Sequence, residues 1–76
     1  MKNDQQQKYI RLGLNIAFFR KLRKLSQTQL AELVGISRTH MSRIETADCA
    51  VSLDVVFKIC DVLNVAPSTL MNFNED

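Results

Sequence analysis

The sequence predicts a small all-α domain of five short helices, and three observations carry that prediction. No stretch alternates β-branched with polar residues, and only one proline and two glycines interrupt 76 residues. Hydrophobic residues recur three and four apart, which gathers them on one side of a helix. Finally, four positions carry the same start signal: an apolar residue, a cap residue, and a second apolar residue four after the cap. In that arrangement the two apolar residues close over the helix start as a hydrophobic staple. A chain of this length fits one domain. The domain is expected over residues 7–73, with 1–6 and 74–76 flexible.

The first helix is expected over 7–23. Leu12, Ile16, Phe19 and Leu22 repeat on its inner side, with Phe18 partly exposed. The second is expected over 27–34. Ser26 is its cap, Leu25 and Leu30 its staple, and Gln29 completes a capping box. The third, over 38–46, starts at Ser37 between Ile36 and Met41; the fourth, over 53–63, starts at Ser52 between Val51 and Val56. Leu53, Val56, Ile59, Cys60 and Leu63 are the inward positions of the fourth. The fifth, over 67–73, starts at Ala66 between Val65 and Leu70. Pro67 takes the favoured first helical position, but Ala66 offers no side-chain acceptor.

Composition narrows the function classes. No apolar run approaches the roughly 20 residues that span a bilayer, and "MKNDQQQKYI" lacks the apolar core of a signal peptide. A cytoplasmic chain with two free thiols, Cys49 and Cys60, is the expectation. Neither cysteine has metal-type spacing, and there is one histidine, so no metal or cofactor is expected. No phosphate loop, acid pair or activated nucleophile suggests an enzyme. The net charge of +2 conceals a division. Residues 1–45 carry nine Lys/Arg against three Asp/Glu, and residues 46–76 carry one against five. A polyanion facing one side fits that division, although a solvated basic face would also produce it.

The second and third helices are joined by "VGIS", residues 34–37. Gly35 can take the positive φ of a tight turn without steric penalty. Ile36 drops into the core, and Ala31 is small where the two helices cross. Two helices joined in this way form a helix-turn-helix. On the third helix, "RTHMSRIE", Met41 and Ile44 face inward at about 100° per residue. Thr39, Ser42 and Arg43 face the other way, and Arg38 stands at the N-terminal mouth.

The stretch "SQTQLAELVGISRTHMSRIE" resembles the helix-turn-helix of the Cro/phage-repressor (XRE-like) family of small transcription regulators. The resemblance runs over roughly residues 12–70. It includes Leu12–Gly13, Ile16 and Arg20, and continues through Gly35 and Glu45 to "SLDVVFKICDVLNV". It implies a compact five-helix, lambda-repressor-like domain that binds operator DNA. By the same resemblance, base reading falls to Arg38, Thr39, Ser42 and Arg43. Arginine can donate two hydrogen bonds to guanine, and Thr or Ser can reach any base. Gln27 matches the family's phosphate-contacting position; Thr28, Ser37, Arg23 and Lys24 can add to it at or near helix N-termini. His40 flanks the reading face, as either a phosphate or groove-edge contact or a passive surface residue. Arg20 and Glu45 stand where the family pairs an arginine of the first helix with a glutamate ending the third, a structural pair that would set the angle of the reading helix.

Two departures stand out. Lys24 occupies a position often held by glycine, so positive φ is expected there. The loop "TADCAVS" lacks the family's basic residues, and Asp48 adds a negative charge.

The C-terminal half holds more apolar residues than one thin domain needs. A homodimer on double-stranded DNA is therefore expected, with Val55, Val62, Leu70, Met71 and Phe73 at the interface and a two-fold operator. No small-molecule ligand is expected. Among regulators of this size, phage Cro-like repressors, restriction–modification controllers and antitoxin-type regulators all remain open. A protein-interaction module that keeps the fold with weak DNA reading is the rival.

Overall fold

A computed structural model of the chain describes residues 4–73. It contains α1 (Gln6–Leu22), α2 (Gln27–Val34), α3 (Arg38–Glu45), α4 (Leu53–Leu63) and α5 (Pro67–Leu70), with no strand among the described residues. The expected flexibility of residues 1–3 and 74–76 lies outside the described residues. Gln6 opens α1, and its side-chain amide donates to the Ala47 carbonyl at 3.2 Å.

The caps and staples form as the residue types dictate. Ser26 accepts from the Gln29 N–H, and the Ser26 N–H in turn donates to Gln29 Oε1. Ser37 accepts from His40 N–H and Ser52 from Val55 N–H. At each of the four staples the leading residue (Leu25, Ile36, Val51, Val65) packs half-buried on the core, and its partner (Leu30, Met41, Val56, Leu70) is fully buried. Ala66 has no side-chain cap, yet Pro67 and the Val65–Leu70 staple suffice to start α5.

The core joins Leu12 and Ile16 of α1, Leu30, Ala31 and Val34 of α2, Met41 and Ile44 of α3, and Val56, Ile59, Cys60 and Leu63 of α4. Truncating one of the larger of these to alanine costs about 2–5 kcal/mol. Cys60 is buried, and burial, aided by the Asp61 charge, pushes its thiol pKa up. That suppresses the reactive thiolate.

Two expected core positions and one expected interface position are corrected. Leu22 ends α1 and is exposed, because α1 closes at Arg23 and lifts that last residue off the core. Leu53 is 60% exposed, since as the first residue of α4 it overhangs the rim. Leu70, assigned to a dimer surface, is 0% exposed: its role in the staple takes it into the monomer core. The fifth helix also stops at Leu70 rather than at 73. Asn15 of α1 donates to the Leu70 and Asn72 carbonyls at 2.8 and 3.2 Å, which ties the end of α5 and the residues just after it to α1.

Lys24 has φ 61°, as its sequence position suggested. It turns the chain so that the Leu25 N–H reaches the Arg20 carbonyl at 3.0 Å, closing α1. Ala47 at φ 59° does the same after α3, and there no sequence signal announced it. A left-handed non-glycine residue costs roughly 1–2 kcal/mol.

Candidate nucleic-acid interface

The turn between α2 and α3 is built by Gly35. It sits at φ 89°, with its N–H donating to the Ala31 carbonyl at 2.8 Å. A Cβ added there would meet nothing within 4 Å, so the demand for glycine is purely conformational. Ile36 follows into the core, and Ser37 launches α3.

Met41 and Ile44 hold the inner side of α3 at 0% and 2% exposure. Arg38, Thr39 and Arg43 are exposed on the other side; Ser42 and His40 are half-buried. Ser42 therefore presents less surface than its helical position suggested. The hydroxyl of Thr46 donates to the Ser42 carbonyl at 3.0 Å, tightening the last turn.

Two devices from α1 fix the angle of α3. The first is Gly13. A Cβ there would lie 2.5 Å from the Glu45 carbonyl oxygen and 2.8 Å from that of Ile44. The backbones of α1 and of the α3 C-terminus are in direct contact, and only glycine permits it. The second is a clamp on Glu45. Arg20 Nε donates to Glu45 Oε2 at 2.7 Å and Nη2 to Oε1 at 3.1 Å, while Nη1 donates to the Leu25 carbonyl at 2.8 Å. The two side chains are 10% and 5% exposed. Gln27 adds a third donor to Glu45, Nε2 to Oε1 at 3.1 Å. The clamp thus ties α1, α2 and α3 together at one carboxylate. The sequence suggested the Arg20–Glu45 pair; it gave no sign that Gln27 joins it.

The expected phosphate residues divide. Gln27 keeps one amide hydrogen beyond the clamp and opens α2, where free backbone N–H groups face outward. Thr28, Ser37 and Lys24 are exposed. Arg23 is exposed and has a partner within the domain: its Nε donates to the Leu63 carbonyl at 2.8 Å, at the C-terminus of α4, where a cation complements the helix dipole. Arg43 also has an unexpected partner in Asp48, through an ion pair of 3.4 Å from Nε to Oδ2 and a hydrogen bond of 3.3 Å from Nη2 to the Asp48 carbonyl.

Among the described residues, no group of three or more His, Cys, Asp or Glu could hold a metal ion, and no helix is long and apolar enough to cross a membrane.

A glycine-hinged helix pair, with its second helix braced at the far end and polar along its outer side, defines a helix-turn-helix domain. Residues 15–76 match the family model of the Cro/C1-type HTH DNA-binding domain, and the chain belongs to that family. It is a DNA-binding domain rather than an enzyme. Antitoxin PezA of Streptococcus pneumoniae serotype 4 is 40% identical over 55 residues, 72% of this chain and 35% of that protein. The chain thus spans about a third of the antitoxin's length. Control protein C.SmaI of Serratia marcescens is 32% identical over 60 residues, 79% of this chain and 71% of that protein. Among solved structures, the restriction–modification controller protein C.AhdI of Aeromonas hydrophila superposes with a TM-score of 0.79 at 29% identity, covering 82% of this chain and 94% of that one. The hypothetical transcription factor NHTF from Neisseria superposes with a TM-score of 0.82 at 31% identity, covering 90% and 76%.

Proposed function

We propose that the chain is a sequence-specific transcription regulator that reads operator DNA by inserting α3 into the major groove. One observation carries the reading: the same short helix that buries Met41 and Ile44 turns Arg38, Thr39 and Arg43 into solvent. Arg43 and Arg38 are the principal base readers, with Thr39 and Ser42 beside them. The start of α2, with Gln27 and Thr28, and the start of α3, with Ser37 and His40, address phosphates and fix the register. Likeness to a control protein and a controller protein supports regulation as the task.

Selection from random duplex DNA followed by sequencing is the test. A recurrent motif is expected, and Arg43→Ala should relax preference at one base position while weakening binding by about 1–3 kcal/mol. No enrichment by the wild-type chain would remove the proposal.

The operator is read by two copies of the chain. Among the described residues, the large hydrophobics exposed in the C-terminal half are Leu53, Phe57 and Met71, at 60%, 48% and 39%. Leu53 and Met71 line one groove of about 280 Å³ together with Val51, Val56 and Phe73, and Phe57 stands one turn along α4 from Leu53. Val55 and Val62 fall on the opposite flank of α4 at 100° per residue, half-buried against the core. The dimer surface is therefore Leu53, Phe57, Met71 and Phe73. Dimensions of 30 × 25 × 20 Å let two such domains, side by side, set their α3 helices near the 34–36 Å of one duplex turn. Phe57→Asp should give a folded monomer by sedimentation velocity; a persistent dimer would place the interface elsewhere.

A second reading has one observation in its favour. Leu14, Phe18 and Leu22 lie four apart on α1 and are all more than half exposed. Together with the antitoxin likeness, that stripe suits a protein partner. The absence of salt-dependent DNA retention would favour it, because phosphate neutralisation gives DNA binding a steep salt dependence.

A further inference from the structure

We propose that Asp48 positions Arg43 for base reading and so helps to determine sequence specificity; this rests on the assignment of Arg43 as a base reader. Asp48 is the loop's only charged residue, and its sign is wrong for a DNA-facing surface. Its geometry supplies a reason for it. Ala47, buried and at φ 59°, turns the chain so that the Asp48 N–H returns to the Arg43 carbonyl at 2.8 Å. The Ala47 carbonyl in turn accepts from Gln6 of α1, which anchors the turn to the body of the domain. The same turn places both oxygens that Arg43 touches: Oδ2, 3.4 Å from Nε, and the main-chain oxygen, 3.3 Å from Nη2.

These contacts occupy the Nε side of the guanidinium. The Nη1 edge and the second hydrogen of Nη2 meet no partner among the described residues, and two parallel N–H donors are what guanine O6 and N7 require. Both side chains are more than half exposed, so the edge is accessible to a duplex. The pairing has a second consequence. An unpaired arginine at a groove rim is equally suited to a phosphate, which it grips bidentately at any sequence. A carboxylate alongside cancels much of that attraction and restricts the long side chain. Discrimination rises as indiscriminate affinity falls.

The test compares wild type, Arg43→Ala, Asp48→Ala, Asp48→Asn and the double Arg43→Ala/Asp48→Ala variant. Each is titrated with the duplex that the wild-type chain selects, with that duplex changed at the base pair Arg43 reads, and with random duplex. Asp48→Ala and Asp48→Asn should melt like wild type. Each should lose about ten-fold in the ratio of selected to changed site. Each should also bind random duplex more tightly, with a log–log salt slope steeper by about one. In the Arg43→Ala background, Asp48→Ala should leave the ratio unchanged. If Arg43→Ala lowers the ratio while both Asp48 variants keep the wild-type value, the positioning role is overturned and Arg43 stays a reader. If Arg43→Ala leaves the ratio intact, the reading assignment fails, and the role of Asp48 with it.

Discussion

Gly13→Ala is expected to be among the most damaging substitutions in the chain, although alanine is the better helix former. In a helix interior the exchange should gain about 1 kcal/mol from propensity alone. Here the new Cβ would lie 2.5 Å from a backbone oxygen that cannot rotate away. Relief requires α1 to back off the end of α3, which loosens Leu12 and Ile16 in the core and stretches the Arg20–Glu45 contacts. Overpacking usually costs about 1–3 kcal/mol; because the obstacle is main chain, a net loss at or above the top of that range is expected. At about 4–8 °C per kcal/mol for a domain of 60–100 residues, the melting temperature should fall by more than 10 °C. Gly35→Ala is the control. It has open space around it, so only the left-handed backbone opposes it, at roughly 1–2 kcal/mol. Thermal unfolding followed by circular dichroism separates the two. A Gly13→Ala protein as stable as wild type would show that the helices are not in backbone contact.

Glu45→Ala should have an effect of similar size by a different route. Removal of the carboxylate leaves the buried Arg20 guanidinium and the Gln27 amide without their acceptor. Breaking a buried pair from one side costs about 3–5 kcal/mol, against about 0–1 kcal/mol for an exposed pair. The 10% and 5% exposure of the two side chains places this one in the first class. The double replacement Arg20→Met/Glu45→Leu should recover much of the stability, since no charge is then left stranded. Its DNA discrimination should stay impaired, because the three-helix clamp that aims α3 is gone. Chemical denaturation of both variants checks the first statement, and titration with selected duplex the second. A loss below 1 kcal/mol for Glu45→Ala would mean that solvent reaches the pair freely.

Much of the architecture could be read from local chemistry. Serines 26, 37 and 52 mark helix starts because a hydroxyl next to an apolar staple has few other uses, and all three cap as expected. Gly35 was legible because a short turn between helices needs positive φ. What escaped depends on contacts distant in sequence. The approach of Gly13 to Glu45 joins residues 32 apart, and periodicity contains no information about it. The anchoring of Arg23 at Leu63 and of Leu70 by Asn15 are likewise tertiary. Helical periodicity tells inner from outer but not how far the neighbouring layer extends, so Leu22 and Leu53 fall on the inner side by spacing and yet lie exposed. Leu70 was claimed by two roles at once, and the staple prevailed. On the outer side of α3, the family resemblance pointed to Arg38 and Arg43, and both are exposed. The pairing of Arg43 with Asp48 depends on the turn at Ala47, a residue whose type argues against left-handed backbone.

In the proposed complex the exposed side of α3 enters the major groove and its arginines meet guanine there. Dimethyl sulfate protection on the selected duplex tests it most directly, because the reagent reports guanine N7 in the major groove and adenine N3 in the minor. Protection of N7 is expected at the guanine whose preference Arg43→Ala relaxes, lost in that variant and retained in one changed at Lys58, on α4. Protection confined to adenine N3, or N7 protection that survives Arg43→Ala and Arg38→Ala together, would contradict it.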